Sequence, residues 1–156
     1  MAPKKRKRPP LDEHVEYIVE ITDWDWQYSF GLDRSFHPIG PYSEYRHLHI
    51  NGRLVRPNAV KAESVALVFV PSTDLNEANR GNLHPLSVGE LQQREETLHG
   101  LLSIPEDALP LILQMLIASR AKFIEMSGSK LRWRQTKIRG FRIESKLDED
   151  EPPEDA

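Results

Sequence analysis

Three groups of residues have the types and spacing for chemistry. The first is His47-Leu48-His49. On a strand, residues two apart share a face, so both imidazoles could reach one metal ion, with Tyr45 beside them. A third ligand would have to come from His84 or His99, or from an acid such as Glu44 or Asp74. The plainer expectation is two histidines on a half-exposed strand, satisfied by neighbouring acids or water. The second group is Asp23-Trp24-Asp25-Trp26, which sets two acids on one strand face and two indoles on the other. Carboxylates about 7 Å apart could do acid–base work or hold a cation. More simply, they are the wet side of a strand whose aromatic side is core. The third group is a basic segment holding Lys130, Arg132, Arg134, Lys137, Arg139 and Arg142, with Trp133 among them and no acid. A twisted basic ribbon can track phosphates or meet an acidic partner, and a nearby aromatic can stack on a base.

The His-x-His triplet is similar to that of cupin metal sites. The resemblance covers three residues and stops there, because Ile50-Asn51-Gly52-Arg53 stands where a short-spaced glutamate would be needed. Other catalytic signatures are missing. The eight glycines form no phosphate-cradling loop. There is no G-x-S-x-G elbow and no H-E-x-x-H pair. With no cysteine, thiolate nucleophiles, disulfides and thiolate metal sites are excluded. The expectation therefore leans away from an enzyme, and no cofactor is expected.

The elements that would position these groups read as α+β: an antiparallel sheet of about five to seven strands packed on one principal helix near 107–119. Val15, Tyr17, Val19 and Ile21 alternate with more polar neighbours, which predicts a strand with one buried face. From Trp24 the apolar residues fall on even positions, so a β-bulge or tight bend near Thr22-Asp23 is needed. Residues 44–50 predict a second strand, and Asn51-Gly52 a hairpin turn after it. Ser64 to Val70 is the best candidate for a central strand, with Pro71 ending it. Ser72 to Gly89 is turn-rich and predicts a long surface excursion. Glu90 to Glu96 could be a helical turn, whereas Thr97 to Ile104 reads as a strand.

The helix should start at an Asp107 N-cap, with Pro110 in its first turn and Arg120 in its last. Only Gln114 interrupts its apolar run from Ala108 to Ala118. An outer face that docks on a partner or on a second copy is expected, with Leu109, Ile112, Leu113 and Leu116 as candidates. The chain then predicts a three-strand meander, from residues 123–126, 131–134 and 138–143, with a turn at Ser127-Gly128. In that reading Lys130, Arg132 and Arg134 share one strand face, and Leu131 and Trp133 take the other.

The ends differ in kind from the middle. Residues 1–11 read as a disordered basic arm, 12–146 as a single domain and 147–156 as a disordered acidic tail. The stretch from Pro3 to Arg8 is similar to a monopartite nuclear-localisation signal. Location is expected to be cytoplasmic, or nuclear if the arm acts as an import signal. The longest apolar stretches fall far short of the ~20 residues of a membrane span, and no membrane partner is expected. The arm takes five positive charges with it and the tail six negative ones, so the middle is near neutral, at 16 basic and 18 acidic groups. Residues 12 to 33 carry seven acids and no Lys or Arg, which makes them natural cross-strand partners for the basic segment.

A non-enzymatic adaptor or inhibitor-type protein follows. It would engage a macromolecule through its sheet, its apolar helix and its basic C-terminal hairpin. A protein partner is favoured over nucleic acid, because dedicated nucleic-acid binders usually carry a net basic domain. A homodimer is possible within this reading. A metal-dependent enzyme or ligand binder centred on His47 and His49 is the remaining alternative.

Overall fold

The structure, a computed structural model, describes residues 14–32 and 40–147. The basic arm and most of the acidic tail expected from the sequence lie outside the described residues. Seven strands form a closed barrel. They are β1 (His14–Leu32), β2 (Tyr42–Arg56), β3 (Ser64–Ser72), β4 (Gly89–Arg94), β5 (Thr97–Pro105), β6 (Phe123–Ser129) and β7 (Gln135–Glu144). One helix, α1 (Leu109–Ile117), joins β5 to β6.

The order around the barrel is β1-β2-β3-β5-β4-β7-β6, with β6 closing on β1. Every neighbouring pair is antiparallel except β3 and β5. The fold is thus α+β, but dominated by strand. The expected all-antiparallel sheet is instead mixed. The Ser72–Gly89 excursion, with short 3-10 turns at Thr73–Leu75 and Arg80–Asn82, carries the chain past β5, so that β4 enters on its far side.

The inward residues follow the period-two rule. Tyr17, Val19, Leu48, Ile50, Val65, Leu67, Phe69, Leu91, Leu98, Leu102, Ile124, Met126 and Ile138 fill the interior. Leu109, Ile112 and Leu116 of α1 join the same core, so the helix closes the end where β5 stops and β6 starts.

The bulge falls where the parity change requires it. Ile21 pairs with Gly52 and Asp23 with Asn51, leaving Thr22 as the extra residue. Beyond it, Trp24 and Trp26 turn toward the core and Asp23 and Asp25 turn out. Asn51-Gly52, by contrast, makes no turn and lies within β2. A Cβ at Gly52 would collide with the Glu20 carbonyl and the Val19 side chain, so the glycine serves close strand approach. Ser127 and Gly128 likewise lie within β6, and Glu90 to Arg94 form a strand rather than a helical turn. Pro71 does not end β3, which runs on to Ser72.

Helix α1 is shorter than the predicted 107–119. A 3-10 turn at Glu106–Ala108 precedes it, and its N-cap is Ala108 without a side-chain bond. Asp107 instead donates its backbone N–H to Asn76 Oδ1 at 3.1 Å. The helix ends in a Schellman arrangement. Ser119 is left-handed at φ 57°, its N–H bonds Leu116 O at 3.1 Å, and Arg120 N–H bonds Met115 O at 2.8 Å.

Candidate functional site

The basic segment forms the hairpin that joins β6 to β7, at the barrel end opposite α1. The expected middle strand at 131–134 does not exist. Arg132 and Gln135 exchange backbone bonds of 2.9 and 3.0 Å, and Trp133 and Arg134 form the two-residue turn between them. Both are left-handed, at φ 53° and 64°. This is the primed geometry that matches strand twist, normally supplied by Asn-Gly. A bulky side chain there is a genuine outlier.

The base of this tip is rigid. Tyr17, wholly buried in the barrel, donates its hydroxyl to Ser129 O at 2.6 Å. Burial pushes that hydroxyl's pKa up to about 12. Ser129 and Thr136 hydroxyls are 2.7 Å apart across the hairpin. Gln93 N–H, from β4, bonds Arg134 O at 2.8 Å. Half-buried Leu131 packs on the core. Above this footing Trp133 stands 98% exposed.

Lys130, Arg132 and Arg134 lie within three residues of Trp133 in the chain, and Lys137 and Arg139 follow along β7, all exposed. Lys130, Arg134, Lys137 and Arg139 form no ion pair with an acid among the described residues. Over the described residues of β1 the expected pairing with the basic strand is not seen, because β6 lies between β1 and β7; Asp12, Glu13 and Asp33 lie outside the described residues. Arg142 does pair with acids and lies away from the tip. It bonds Glu125 at 2.6 Å and Glu144 at 3.3 Å on the barrel wall, where Glu125 is only 4% exposed.

The cationic patch is focal. Glu90 lies across from Lys137. The adjoining β4–β5 turn carries Glu95 and Glu96, with Glu95 left-handed at φ 54°. Glu96 hydrogen-bonds the Glu63 carboxyl, which raises the Glu63 pKa above the ordinary glutamate value.

His47 and His49 do share the outer face of β2, with ring centroids 6.2 Å apart and Tyr45 at 5.8 Å from His47. Asp25 sits opposite His49 on β1. Among the described residues no third His, Cys, Asp or Glu completes a group that could hold a metal ion. Glu44 is engaged by Arg46 and Tyr28, which together hold its carboxyl below the usual range.

The helix residues offered to a partner are placed otherwise. Leu109, Ile112 and Leu116 are buried in the protein's own core, and Leu113 is half-buried. The outward apolar residues are Leu111 and Ile117, at 62% and 72% exposed.

The aromatic run around Tyr28 and Phe30, open in the sequence to reading as a binding wall or more simply as core, lies on the far half of the β1–β2 pair; Phe36 is outside the described residues. Pairing of β2 with β3 ends at Leu48↔Phe69, and from there residues 27–32 and 42–47 run as a two-stranded ribbon past the α1 end of the barrel. The core-side face of β1 carries Trp24 and Trp26, which pack on the core, and then Tyr28, Phe30 and Leu32 on the ribbon, with Tyr42 stacked on Phe30 at 5.5 Å. Arg46 ties the ribbon to Glu106 at 2.9 Å. Their alternation was legible, but not that the barrel stops short of them.

Among the described residues no helix is long and apolar enough to cross a membrane. Compared with protein-family models, with curated proteins and with solved structures, the chain matches none.

Proposed function

We propose that this protein is a non-enzymatic binding module that engages an acidic surface of a protein partner through the tip of its β6–β7 hairpin. One observation carries the reading: a Trp held 98% exposed, in a left-handed turn, among cationic side chains. Left-handed backbone costs an L-residue roughly 1–2 kcal/mol, so this turn is not the cheapest way to close a hairpin. Trp and Arg are the residues that anchor protein interfaces, and a rigid footing removes the cost of ordering the loop on binding. The focal shape of the patch supports a protein over a phosphate track. Glu90, Glu95, Glu96 and Glu63 would repel a polyanion laid along the barrel.

A second reading, single-stranded nucleic acid, is favoured by the indole itself. Both of its faces are open for stacking, and Lys130 and Arg134 stand on either side in sequence. Affinity capture with wild type and with Trp133→Ala, each with and without nuclease, separates the two. Under the first reading a protein is retained by wild type, lost by Trp133→Ala and insensitive to nuclease. Nuclease-sensitive capture, with a retained polymer absorbing at 260 nm, transfers the assignment to nucleic acid. Identical capture by wild type and Trp133→Ala refutes both.

A further inference from the structure

The edge of β1 along the ribbon carries an independent inference. Pairing of β1 with β6 ends at Glu20↔Phe123. From Trp24 to Leu32, β1 pairs with β2 on one side and, among the described residues, with nothing on the other. Strand edges in natural proteins are usually guarded by a charge, a proline, a bulge or a cover. Residues 26–32, Trp-Gln-Tyr-Ser-Phe-Gly-Leu, contain no charged residue and no proline, and their register with β2 shows no bulge. The ribbon's other edge differs. There Glu44 and Arg46 hold each other, and Arg46 also holds Glu106.

We propose that this edge pairs antiparallel with the same edge of a second copy, making a four-stranded sheet across a two-fold axis near Tyr28. The sequence is self-complementary in that register. With Tyr28 opposite Tyr28 of the second copy, Trp26 meets Phe30 and Trp24 meets Leu32 on the aromatic face. On the other face Gln27 meets Ser29 and Asp25 meets Gly31. Between residues 24 and 32 no like charges oppose one another, and each aromatic finds an apolar or aromatic cross-strand partner. Edge pairing supplies main-chain hydrogen bonds, and Tyr28, Phe30 and Leu32, at 54%, 61% and 72% exposed, gain cross-strand neighbours.

The test is mass by light scattering across a concentration series, joined to cross-linking. Wild type should reach about twice 18.0 kDa. Tyr28→Lys sets two ammonium groups face to face at the axis and should return the mass to that of one chain, with unchanged circular dichroism. Tyr28→Phe should stay dimeric, and so should Trp133→Ala, which separates this inference from the hairpin reading. The chain has no cysteine, so single replacements report cleanly. On oxidation Tyr28→Cys should cross-link efficiently, whereas Gln27→Cys and Ser29→Cys, set diagonally at roughly 7–8 Å, and Leu111→Cys on the helix should not. A mass of one chain at every concentration, with no cross-link through Tyr28→Cys, overturns the proposal and leaves the edge to a different partner strand. A dimer that survives Tyr28→Lys and cross-links through Leu111→Cys overturns it in favour of the helix face.

Discussion

Replacing Trp133 with Asn and Arg134 with Gly should make the protein more stable and less able to bind. The two residues occupy left-handed backbone at φ 53° and 64°. Each pays roughly 1–2 kcal/mol for that conformation, so the pair stores about 2–4 kcal/mol. Asn-Gly is the sequence this turn geometry favours. Glycine in the unfolded chain returns about 0.5–1 kcal/mol of the gain. Little packing is lost, because Trp133 is 98% exposed and the Arg134 contact to Gln93 runs through its backbone carbonyl. The net expectation is about 2 kcal/mol. For a chain of 156 residues this is a rise in Tm of roughly 4–8 °C, read by calorimetry. The same variant should lose the partner that wild type captures. An unchanged or lower Tm would refute the claim that the turn is strained. A higher Tm with full capture would refute the claim that the strain serves binding.

Other outcomes follow from the interior and its rim. Tyr17→Phe removes the 2.6 Å bond to Ser129 O and should cost about 1 kcal/mol in urea unfolding. Because the folded Tyr17 hydroxyl keeps its proton up to about 12, wild-type stability should fall as pH rises from the ordinary tyrosine value of 10.0 toward 12, and Tyr17→Phe should lose that part of the slope. Glu63→Gln relieves the repulsion with Glu96. Its Tm should exceed that of wild type at neutral pH, with the gain fading as pH falls below the raised Glu63 pKa, where wild type is already protonated. Equal differences at pH 3 and pH 7 would sink that account. On α1, Ile112→Ala should cost about 2–4 kcal/mol, while Leu111→Ala should change stability by less than ~0.5 kcal/mol, as measured by denaturant midpoints.

What the sequence disclosed depended on whether a local pattern had one physical cause or two. The parity change between Ile21 and Trp24 has a single economical explanation, and Thr22 is the extra residue it demands. Asn51-Gly52 has two. A glycine can serve a turn or a close approach of backbones, and only the position of Glu20 against Gly52 decides. Glu90 to Arg94 holds good helix formers, but β5 and β7 pair with it on both sides and override that preference. The Trp133-Arg134 turn was hidden for the opposite reason. It lacks every residue that marks such a turn, so Leu-Arg-Trp-Arg read as alternation. The cationic residues themselves were legible, and so was the shared face of His47 and His49. Which cations would find acids was not, since that depends on β6 separating β1 from β7.

Thr22 marks a change of parity within β1. Before it, odd-numbered side chains face the barrel interior; after it, even-numbered ones face the core side. The side chain itself does little beyond a 3.2 Å bond to Asn51 O, so most substitutions there should be tolerated. Loss of the residue should leave the faces as they are. With Thr22 gone, Asp23 follows Ile21 directly, Gly52 and Asn51 keep their partners, and one unbroken alternation runs from Val15 to Leu32 with the aromatic stripe still on the core side. What would go is the bend and added twist of the bulge, which set the direction in which the far half of β1 leaves the barrel. One exposed threonine is therefore a steering device, whose presence fixes an angle while its identity fixes almost nothing.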